Sequence, residues 1–65
     1  MENIEKRIID ELQSYLDNVK EAQEAGDTVS RAYWAKKYVG CASFAERVTG
    51  KTIESGGWNV RFKEV

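Results

Sequence analysis

Histidine and proline are absent from this 65-residue chain, and cysteine occurs once. Each gap excludes something. One cysteine cannot close an internal disulfide. Without histidine it leaves almost no zinc-ligand set, and no Cys–His nucleophile pair forms within one chain. No metal and no cofactor are therefore expected. No apolar run approaches the roughly 18 residues that a membrane-spanning helix needs. The first residues are charged and lack an apolar core, so no export signal is expected. A lone thiol without an export signal fits a reducing cytoplasm.

A domain this short lies near the lower limit for an independent fold, burying only about 60% of the surface its unfolded chain exposes. Small scaffolds are commonly stapled by disulfides, a metal or self-association. With the first two excluded, a homodimer or higher assembly is the expected remedy.

The net charge of −1 hides a division along the chain. Residues 1–27 hold eight acids and three bases, a net of −5, whereas residues 28–65 hold three acids and seven bases, a net of +4. The halves either attract each other within the fold or meet polar partners of opposite sign.

The organising stretch is Thr28 to Thr49, flanked by Gly26 and Gly50, with only Gly40 inside it. On a helix it carries two apolar stripes. Trp34, Tyr38, Cys41, Ala45 and Val48 follow the spacing of a knobs-into-holes seam and are expected at an oligomer interface. Val29, Tyr33, Gly40 and Phe44 form a neighbouring stripe. Ala32, Ala35, Val39 and Ala42 cover much of the rest. A helix apolar nearly all round needs partners on several sides.

Before it, residues 2–25 read as an amphipathic helix. Ile4, Ile8, Leu12, Tyr15, Val19 and Ala22 make its stripe, widened by Ile9 and Leu16. Glu2 and Glu5 suit the positive end of its dipole. Gly26 suits the left-handed residue that closes a helix, and Asp27 or Thr28 the cap that opens the next. Asp10, Asp17, Glu21 and Glu24 lie on the opposite face. So short a connection makes the two helices antiparallel neighbours.

After Gly50 the period changes to two. Residues 51–63 read as a β-hairpin in which Trp58, Val60 and Phe62 alternate with Asn59, Arg61 and Lys63. A two-residue Gly56-Gly57 loop pairs Ile53 with Val60 and gathers Ile53, Trp58, Val60 and Phe62 on one face. That face is expected on the second helix or in a neighbour's sheet. The chain thus reads as one α+β domain over 1–65, a helical hairpin followed by a β-hairpin.

Catalytic motifs are thin. Thr49-Gly50-Lys51-Thr52 resembles the end of a phosphate-binding loop. Ala45 stands where that motif needs a glycine, and the order is helix then strand, the reverse of what it requires. Gly50 is read as a helix stop, and no enzymatic activity is expected.

Composition points to binding. The second half mixes bases with aromatics, and cations neutralise phosphates while flat rings stack on bases. Arg31, Trp34, Lys36, Lys37, Tyr38, Trp58, Arg61 and Lys63 are the candidate ligand-binding residues. They would line a cleft for an anionic partner, a nucleotide or nucleic acid. The alternative is a protein-binding inhibitor or adaptor, a use common among small phage and mobile-element proteins such as anti-defence factors.

Overall fold

A short polar side chain precedes each helix and a glycine follows each. In the computed structural model, which describes residues 3–63, these are the boundaries. Helix α1 spans Ile4–Glu24, and the Asn3 side chain accepts a hydrogen bond from the Lys6 N–H at its start. The expected helical residue Glu2 lies outside the described residues. At the far end, Gly26 takes the left-handed conformation at φ 71°. The N–H groups of Gly26 and Asp27 then donate to the carbonyls of Gln23 and Ala22, closing the last turn.

Helix α2 spans Thr28–Thr49. Asp27 caps it, one carboxylate oxygen accepting from the Ser30 N–H and the other from the Ser30 hydroxyl. Those bonds to its charged form hold the Asp27 carboxyl below its usual pKa. Gly50, left-handed at φ 71°, ends the helix. Strands β1 (Ile53–Gly56) and β2 (Asn59–Phe62) form a two-stranded antiparallel sheet.

The core lies where α1, α2 and β2 converge. Leu12 is fully enclosed, and Leu16 and Val60 are buried beside it. Ile8, Ile9 and Tyr15 close in from α1, Tyr38, Cys41 and Ala42 from α2, and Ile53 and Trp58 from the hairpin. Further along, Val19, Ala22 and Ala45 are also buried. The α1 stripe therefore serves two neighbours at once. Among the described residues no helix is long and apolar enough to cross a membrane.

The hairpin departs from the sequence expectation in two ways. Ile53 pairs with Phe62 and Ser55 with Val60, so Ile53 does not pair with Val60. The two turn residues are Gly57 and Trp58, at φ 60° and 67°, rather than Gly56 and Gly57. Two positive-φ residues make the turn that matches strand twist. A slip of two residues leaves Ile53, Val60 and Phe62 on one face, because the side-chain period is also two. Trp58 changes from strand to turn, and Gly56 from turn to the end of β1. A bulky residue with positive φ costs about 1–2 kcal/mol.

The second departure concerns the hairpin's seat, and it explains the first. The hairpin packs chiefly on α1, not on α2. Gln13, on α1, donates its amide N–H to the Trp58 carbonyl at 2.8 Å and accepts from the Val60 N–H at 2.9 Å. One side-chain amide thus occupies the free edge of β2 as a further strand would. It fixes the register on the core while the Trp58 ring packs against the Leu12 cluster. Elsewhere, the Glu46 carboxylate accepts from the Ile53 N–H at 2.7 Å, and Lys51 meets both Glu5 oxygens at 2.9 Å. The Lys51–Glu5 pair is half exposed and contributes at most about 1 kcal/mol.

A domain of this length is held by only about 3–10 kcal/mol, and truncating a fully buried leucine costs about 2–5 kcal/mol. Leu12→Ala is expected to remove most of the cooperative thermal transition seen by circular dichroism. Gln13→Ala strands a carbonyl and an N–H at the hairpin, and should cost about 1–3 kcal/mol in urea unfolding. Its amide protons on β2 should exchange faster than those of α2.

Candidate functional site

Helix α2 has two faces because α1 and the hairpin reach only one of them. The inner face carries Trp34, Tyr38, Cys41 and Ala45, four members of the stripe expected at an oligomer seam. The structure turns these four into the single chain instead: Ala45 is buried, and Tyr38 and Cys41 pack against the Leu12 cluster. Trp34 stacks on Tyr15 of α1 with ring centroids 5.9 Å apart. Val48, the fifth member, is exposed. Its spacing allows for the seam, but it lies just past the edge of what α1 covers.

The outer face is what remains uncovered. Val29 is 80% exposed, and Tyr33, Val39, Phe44 and Val48 are each more than half exposed. Lys36, Lys37 and Arg47 stand among them, all exposed. Glu46, the only acid of α2, is turned away to the Ile53 N–H, so no carboxylate of the helix shares the face. Lys37 places its ammonium 5.2 Å from the Tyr33 ring centre and 6.0 Å from that of Trp34. Tyr33 in turn meets Trp34 edge-on at 5.1 Å. A continuous aromatic path, Tyr15–Trp34–Tyr33, thus runs from the helix interface to the surface and ends under a cation.

The other expected binding residues scatter. Tyr38 and Trp58 are half-buried in core packing, so their rings are committed to the fold. Arg61 is paired with Glu54 at 2.8 Å. Lys63 is exposed at the end of β2, where its N–H donates to the Thr52 carbonyl. Arg31 lies at the other end of the molecule, in a shallow depression with Ala22, Gln23 and Gly26. The exposed Tyr33, Phe44 and Arg47 were legible only as a second stripe and a basic residue. Nothing in their spacing told which stripe α1 would take.

Two polar groups on the inner side are perturbed. The Tyr15 hydroxyl donates to Glu11 at 2.8 Å, and that bond raises its pKa. The Cys41 thiol is pushed above its usual 9.0, first by burial and then by the Glu11 charge. A raised thiol pKa means little thiolate at neutral pH, the opposite of an activated nucleophile. Among the described residues no cluster of three metal-ligating side chains forms. No family model, no curated protein and no solved structure matches this chain.

Cys41 should therefore alkylate at pH 8 several-fold more slowly than an unstructured cysteine, with the normal rate returning in denaturant. A native rate equal to that of free cysteine would contradict the packing described.

Proposed function

We propose that this chain is a non-enzymatic binding protein that grips the phosphates of a nucleic acid through the cations of the α2 outer face. The observation that carries the reading is the grouping of Lys36, Lys37 and Arg47 on one exposed helical face that no carboxylate of the helix shares. Phosphate contact is favoured over base stacking, because Trp34, Tyr38 and Trp58 are used inside the fold. Arg31, beside Ala22 and Gln23 at the helix interface, and Lys63, on the hairpin, lie off this face. The acidic stripe of α1, with Asp10, Asp17, Glu21 and Glu24 exposed, faces away from such a partner.

Three phosphate contacts on duplex DNA give a log–log salt slope near −2.7, or roughly forty-fold weaker binding between about 50 and 200 mM salt. Fluorescence anisotropy with a labelled short duplex measures it. Lys36→Glu with Lys37→Glu should abolish binding while leaving the far-ultraviolet spectrum intact, since both side chains are exposed. Affinity indifferent to salt would sink the reading. A second reading rests on the exposed Val29, Val39, Phe44 and Val48, which phosphates do not need. On it, α2 enters an apolar groove of a protein target, with affinity that changes little with salt.

A further inference from the structure

The outer face of α2 has two features that phosphate binding leaves unexplained. The first is its extent. A monomer of 7.4 kDa exposes about 4,200 Å² by the usual scaling with mass, whereas this chain exposes 4938 Å². That surplus of about 700 Å² is summed over the whole chain, and it is of the order of the roughly 800 Å² that each partner buries in a standard interface. Among the described residues the large exposed apolar side chains, Ile4 apart, lie on this helix.

The second feature is Gly40. A glycine in mid-helix weakens the helix, and inside this chain nothing requires it. A Cβ added there would meet no atom within 4 Å, and the backbone is ordinary helix. Gly40 lies on the outer face between Tyr33 and Phe44, near the middle of α2. A residue without a side chain at that place lets another backbone come close.

We infer that a second copy of this chain covers the face, the two α2 helices crossing antiparallel about a two-fold axis at Gly40. That register makes the face complementary to itself. It sets Arg47 level with Tyr33 of the second copy, and Lys36 and Lys37 level with its Ser43 and Phe44. Lys37 then meets a ring and Lys36 a hydroxyl. Lys37 already sits over a ring within its own chain. The same two-fold axis places Lys36 and Arg47 of both copies along one rim of the seam. This deepens the function proposed above, because the phosphate-binding strip is then built from two chains, with Lys36 and Arg47 from each. The expected seam of Trp34, Tyr38, Cys41 and Ala45 takes no part.

The test is the molar mass of the full chain by sedimentation equilibrium, read beside the salt slope for a short DNA duplex. The wild-type chain should weigh twice 7.4 kDa. Gly40→Leu should weaken the dimer at least tenfold, and Phe44→Glu should do the same. Neither threatens the fold: position 40 has open space and gains a better helix former, and Phe44 is exposed. The salt slope of Gly40→Leu should fall to about half that of the wild type. A wild-type chain that stays monomeric at millimolar concentration overturns the pairing. So does a dimer indifferent to Gly40→Leu, or a monomer carrying a different protein on this face. A dimer that ignores DNA removes the functional reading and leaves the pairing standing. DNA bound equally well by monomeric Gly40→Leu removes the pairing and leaves the function.

Discussion

Leu12 stands at the one point where three elements need the same apolar surface. Helix α1 is the only element with a wide enough stripe to meet both α2 and β2, and Leu12 is its centre. Among the described residues no second core cluster forms to take the load. The division of labour follows. α1 is surrounded on its apolar side and acidic on the other. The hairpin is held down by α1, and α2 is left with one face covered and one open.

The hairpin shows how a small sheet survives without further strands. Two strands are marginal in water by themselves. Here Gln13 supplies the third row of hydrogen bonds from a helix, meeting both the carbonyl of Trp58 and the N–H of Val60. Glu46 does similar work for the Ile53 N–H at the start of β1. With these two side chains in place, the turn can hold Trp58 at positive φ, because the ring gains core contact and the carbonyl gains a partner. The strain is local, and the compensation comes from elements distant in sequence.

The open face of α2 is a consequence of geometry more than of composition. Both stripes of the helix are apolar enough to be buried, yet α1 can cover only one. The covered stripe is the one whose aromatic residue, Trp34, finds Tyr15 to stack on and whose small residues, Cys41, Ala42 and Ala45, admit the neighbouring helix. The stripe with Gly40, Tyr33 and Phe44 is left outside with three cations. The small residues inside serve a close approach satisfied within the chain, and the solitary glycine lies outside.

Local signals were sufficient for much of this. Apolar periodicity, the Asp27 cap and the glycines at 26 and 50 gave both helices their type and nearly their ends, since caps and dipoles act within a turn. Alternation after Gly50 gave the hairpin and the shared face of Ile53, Val60 and Phe62, because a period of two survives a slip of two. Three matters were settled only by the tertiary structure. The turn moved to Gly57-Trp58 because Gln13, more than forty residues away, pins the register. The hairpin chose α1, whose stripe was wide enough for two partners. The inner stripe of α2 was selected by what α1 presents to it, a choice that two near-equal stripes on one helix leave open until a neighbour is in place.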